Sequence, residues 1–84
     1  MTYTVEILRS AQKGLAKGHR EDQPRVIEAI RQLAEDPCPP GRKKLSGRPA
    51  WRIRIGQYRV IYEIHDAQLL VLVVTIGHRK EVYR

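Results

Sequence analysis

The spacing of apolar residues changes twice along this chain, and each change marks a new kind of element. In TYTVEIL, residues 2–8, Tyr3, Val5 and Ile7 alternate with polar neighbours, which predicts a strand with one buried face. Helical spacing follows. SAQKGLAKGH, residues 10–19, predicts a short helix that turns Ala11, Leu15 and Ala16 inward and stops at Gly18. A second helix is expected from Asp22, a candidate N-cap, with Pro24 at an early position where its missing N–H does no harm. Val26, Ile27, Ile30, Leu33 and Ala34 keep the rhythm of one buried stripe, and Pro37 is the expected end. So few residues join the helices that they should pack as an antiparallel hairpin.

PCPPGRKKLSGRPA, residues 37–50, reads as a Pro/Gly-rich loop, after which the period becomes two. WRIRI and YRVIYEI flank Gly56-Gln57, and glycine in the first loop position suits a two-residue type II′ hairpin. That turn fixes the pairing: Ile55 faces Tyr58, Ile53 faces Val60, and Trp51 faces Tyr62, all on the side expected under the helices. Arg52, Arg54 and Arg59 then share the other side, with Arg54 directly across from Arg59. QLLVLVVTI, residues 68–76, is apolar on both faces and reads as a central strand. A tight turn at 66–67 puts Leu70, Leu72 and Val74 on the arginine side. The expected fold is α+β in two layers, a single domain over residues 1–84 in the order β-α-α-β-β-β, with the helical hairpin on a mainly antiparallel four-stranded sheet.

Charge sharpens this reading. Sixteen Lys+Arg against nine Asp+Glu leave a formal charge of +7 on 84 residues, which calls for an anionic partner. From Arg42 to Arg59 the chain carries Arg42, Lys43, Lys44, Arg48, Arg52, Arg54 and Arg59 without one acidic residue. Guanidinium groups offer paired donors matched to phosphate oxygens, so the arginine face reads as a phosphate site. Trp51 and Tyr62 are expected in the core, and His19 and His65 at the surface. Cys38, the single cysteine, fits a reducing compartment where disulfides are not needed. The N-terminus has no secretion-signal pattern, and LLVLVV at 69–74 is too short to span a membrane, so a cytoplasmic protein without membrane contact is expected. No His/Cys spacing suggests a metal, and no cofactor is expected.

KKLSGRPAWRIRIGQYRVIYEI together with IGHRKEVYR resembles the RelE branch of the RelE/ParE superfamily of toxin–antitoxin toxins. The likeness runs through nearly the whole chain. It implies an endoribonuclease, an mRNA interferase that cuts messenger RNA in the ribosomal A site. In that chemistry the ribose 2′-hydroxyl attacks the adjacent phosphate and leaves a 2′,3′-cyclic phosphate. It also implies a cognate antitoxin, and operator DNA as a partner only of the toxin–antitoxin pair. The family's catalytic positions fall on Arg52, Arg54, Arg59, Arg79 and Tyr83. Arg42, Lys43, Lys44, Arg48 and Lys80 are the expected RNA-binding residues. Many members have lysine where this chain has Arg52 and Arg54, and an arginine does not give up its proton. His78 is therefore a candidate general base, beside Tyr83 and Lys44. The alternative within the superfamily is a ParE-like inhibitor of DNA gyrase that performs no catalysis.

Overall fold

A computed structural model describes residues 2–38, 42–45, 47 and 49–78. Strand β1 (Thr4–Ile7) leads into helix α1 (Arg9–Ala16), a 3-10 turn at Arg20–Asp22 and helix α2 (Gln23–Gln32). Strands β2 (Lys43–Lys44), β3 (Ala50–Ile55), β4 (Tyr58–His65) and β5 (Leu70–His78) follow, with a 3-10 turn at Asp66–Gln68 before the last. They form one five-stranded sheet in the order β1-β5-β4-β3-β2. β1 runs parallel to β5, and every other pairing is antiparallel.

The fold class is the expected one, with one strand more than the sequence predicts. The additional strand is β2, inside the segment read as loop: Lys43 pairs with Arg52 and Lys44 with Trp51. Its two residues are too few to show an alternating pattern. Both helices lie on the same sheet face. Ala11, Val26, Ile30 and Leu33 share one buried cluster with Ile53, Tyr58, Val60, Tyr62, Val71, Val73 and Ile76. Tyr3, Val5 and Ile7 pack against it, as their alternation predicts.

The helix limits differ from the predicted ones for local reasons. α1 ends at Ala16, so Ala16 is exposed and Gly18 serves another purpose described below. Asp22 flanks α2 but makes no side-chain cap, because the preceding 3-10 turn already holds it in helical dihedrals. α2 closes at Gln32, ahead of Pro37, through tighter bonds from the N–H groups of Leu33, Ala34 and Glu35 to the carbonyls of Ile30, Arg31 and Gln32. Ile27, expected in the stripe, is 39% exposed. No helix among the described residues is long and apolar enough to cross a membrane.

Candidate functional site

The site starts from the hairpin turn. Gly56 has φ +59° and Gln57 is not in the positive-φ region, which is the type II′ arrangement. The register is then the expected one: Ile55 opposite Tyr58, Ile53 opposite Val60, Trp51 opposite Tyr62 and Arg54 opposite Arg59. Because side chains alternate, Arg52, Arg54 and Arg59 emerge together on the face away from the helices. β2 adds a fourth cation. Lys43 is the partner of Arg52, so it joins this face, where directly opposed side chains stand about 5 Å apart at Cβ.

β5 completes the face differently from the expectation. Its ladder with β4 shifts register between Ile61 and Tyr62, where Ile61 pairs with Thr75 but Tyr62 with Val73. Val74 is the additional residue of a β-bulge, and the bulge inverts the alternation of everything after it. Leu70 and Leu72 reach the arginine face, opposite His65 and Glu63. Beyond the bulge that face receives Thr75 and Gly77, and Gly77 lies opposite Arg59.

His78 is thereby carried to the helix side. It pairs with Tyr58, and its ring meets the Tyr58 ring edge-on with centroids 5.2 Å apart. The His19 ring, exposed as expected, stands 5.9 Å from the His78 ring. This placement is against His78 as the base for chemistry on the arginine face. Tyr58 itself accepts a 2.7 Å hydrogen bond from the His19 N–H through its hydroxyl. A Cβ at Gly18 would collide with that hydroxyl, which explains the glycine two residues beyond α1.

The other basic candidates divide between the two faces. The Arg42 guanidinium lies 4.5 Å from the Trp51 ring centroid and the Lys44 ammonium 6.0 Å from it, on the side away from Lys43. Arg42 also reaches the Cys38 carbonyl through Nη1 at 3.5 Å, while its buried Nε has no partner among the described residues. Trp51 is half-buried under these cations, and Tyr62 is fully buried with its hydroxyl donating to the Pro37 carbonyl at 2.9 Å. Arg48, Arg79, Lys80 and Tyr83 lie outside the described residues. The remaining end of the arginine face is mixed: His65 and Glu63 contact each other at 2.9 Å beside Leu70 and Leu72.

A residue that the sequence did not single out also borders the hairpin. The Arg25 guanidinium of α2 packs against Gly56, and its Cζ is 3.2 Å from where a Cβ would sit. No local pattern links positions 25 and 56; only the docking of α2 beside the turn brings them together. A groove of about 300 Å³ opens next to it, between α2 and the outer edge of β3, with Leu33, Ile53 and Ile55 in its lining and Asp36 and Arg54 as its charged groups.

Comparison with known proteins agrees with the fold. The family described as the ParE toxin of a type II toxin–antitoxin system, parDE, matches residues 5–83. Toxin RelG of Mycobacterium tuberculosis is 32% identical over 88 residues, covering 100% of this chain and 99% of the relative. The toxin chain of the RelBE2 toxin–antitoxin complex from the same organism superposes with a TM-score of 0.82 at 28% identity, over 94% of this chain and 100% of the other. The archaeal RelE–RelB complex from Pyrococcus horikoshii gives a TM-score of 0.81 at 28% identity, over 94% and 97%. Family, relative and fold agree, and the chain belongs to the RelE/ParE superfamily as a toxin of a type II toxin–antitoxin system.

Proposed function

We propose that this toxin is a ribosome-dependent endoribonuclease that cleaves messenger RNA in the cytoplasm and is neutralised by an antitoxin of its own. The observation that carries this reading is the row of Lys43, Arg52, Arg54 and Arg59 on the sheet face opposite the helices. Attack of the 2′-oxygen on phosphorus forms one P–O bond, and loss of the 5′-oxygen breaks another. The products are a 2′,3′-cyclic phosphate and a 5′-hydroxyl. Charge builds on the non-bridging oxygens in between, and fixed cations beside them lower that barrier. Arg52 and Arg59 take this role with Arg79, which follows His78 directly in the chain. Arg54 and Lys43 hold the flanking backbone.

The proton leaving the 2′-hydroxyl needs an acceptor, and the departing 5′-oxygen takes up a proton from solvent to become the 5′-hydroxyl. An arginine cannot serve, and His78 is on the other side of the sheet. We assign proton transfer to Tyr83, the position to which the family resemblance points. None of these steps calls for a metal ion. Antitoxin recognition fits the same face, because an acidic or amphipathic segment complements both its cations and the Leu70–Leu72 strip.

One observation favours a second reading: the matching family is described as the ParE toxin. Inhibition of DNA gyrase without RNA cleavage would follow from it. Induction of the toxin, with primer extension on translated messages, separates the two. Cuts at codon positions support the nuclease; intact messages with trapped gyrase–DNA complexes overturn it.

A further inference from the structure

Arg25 is the third residue of α2, directly after the 3-10 turn that carries Glu21 and Asp22. α2 has no acidic residue in its first turn, and Asp22 just before it makes no side-chain cap. Among the described residues Asp22 makes no salt bridge with Arg25. The guanidinium is instead lodged against Gly56, at the tip of the hairpin whose next residues on either side include Arg54 and Arg59. Gly56 is needed for the turn, where its φ is +59°, and the flexible end of the Arg25 side chain lies over it. An exposed guanidinium resting on the hairpin tip, beside the end of the arginine face, is placed to meet an external anion.

We infer that Arg25 binds a phosphodiester of the RNA strand beside the one being cleaved, so that the cationic track continues from the arginine face round the hairpin tip. This rests on the nuclease reading above. Arg25 is a substrate-binding residue here, remote from the reacting atoms. The strand that supplies the phosphate is either the message or ribosomal RNA, since their backbones are chemically the same.

The test is the salt dependence of binding, measured with wild type, Arg25→Gln and Arg25→Lys. One arm uses a 2′-O-methyl single-stranded RNA that cannot be cleaved, and the other uses ribosomes without message. Each lost phosphate contact lowers the slope of log K against log salt by about 0.7. We expect Arg25→Gln to show that loss with an unchanged thermal midpoint, and Arg25→Lys to restore the wild-type slope. A loss in the oligonucleotide arm identifies the message; a loss confined to the ribosome arm identifies ribosomal RNA. An unchanged slope in both arms overturns the role of Arg25 alone, whereas wild-type protein that binds neither RNA overturns the nuclease reading with it.

Discussion

Arg54 and Arg59 stand directly opposite each other across the β3–β4 hairpin, on the face that the helices leave uncovered. Like charges in that relation weaken a strand pair by about 0.2–1 kcal/mol. On the proposed reading the two guanidinium groups meet a backbone phosphate of the message. Arg59→Gln should keep the fold, with urea stability within about 0.5 kcal/mol of wild type. Cleavage of ribosome-bound message should fall about 10²–10³-fold, the usual loss on removing one donor to a developing oxyanion. Undiminished cleavage would remove Arg59 from the site.

The Tyr58 hydroxyl ties the start of β4 to the connection between the helices through the His19 N–H. Tyr58→Phe leaves that backbone donor without its acceptor and should cost about 1 kcal/mol in urea unfolding. Gly18→Ala drives a methyl group into the same hydroxyl and should cost about 1–3 kcal/mol. If both variants unfold at the wild-type midpoint, the contact contributes nothing to stability.

Tyr62 gives the protein an alkaline limit. Burial pushes its phenol up to about 12, with the nearby Cys38 and Asp36 adding to the rise and Arg42 opposing it. An unfolded tyrosine ionises near pH 10. Below that pH both states hold the proton and this group adds no pH dependence. From about pH 10 to 12 the unfolded chain releases it while the folded chain retains it, so stability falls as the pH rises. Tyr3 shifts in the same direction, chiefly through its 2.6 Å hydrogen bond to Asp66. Tyr62→Phe should flatten most of the decline in urea midpoints across that window. A decline as steep as in wild type would place the alkaline sensitivity elsewhere.

Leu69 occupies the left-handed region, φ 49° and ψ 49°, where a side chain with a Cβ is disfavoured by about 1–2 kcal/mol. It is also 36% exposed, so little burial offsets the strain. Leu69→Asn should stabilise the fold by roughly 1 kcal/mol, because asparagine tolerates this conformation better. Thermal unfolding checks this; a lower midpoint would mean that the packing of the leucine outweighs its backbone.

The core was largely legible because periodicity reports burial directly. Val26, Ile30 and Leu33 keep helical spacing, and Ile53, Val60 and Tyr62 keep strand alternation; all are buried as predicted. Ile27 fits the same stripe and is exposed, since α2 crosses the sheet on a narrower contact than five apolar residues suggest. The candidate site was legible only in part. The arginines of the hairpin follow from one turn, whereas the contact of Arg25 with Gly56 depends on how a helix docks against that turn.

By itself the sequence determined the β3–β4 register, because a two-residue turn at Gly56-Gln57 leaves one pairing and that pairing assigns every side chain to a face. Tertiary structure decided the rest of the face. β1 joins β5 across more than sixty residues of chain, and Lys43 joins Arg52 through a strand too short to announce itself. The bulge at Val74 decides most: by adding one residue to β5 it brings Gly77 opposite Arg59 and sends His78 through to Tyr58. An alternating pattern counts positions along one strand; a bulge is a mismatch between two, and it becomes visible only when they pair.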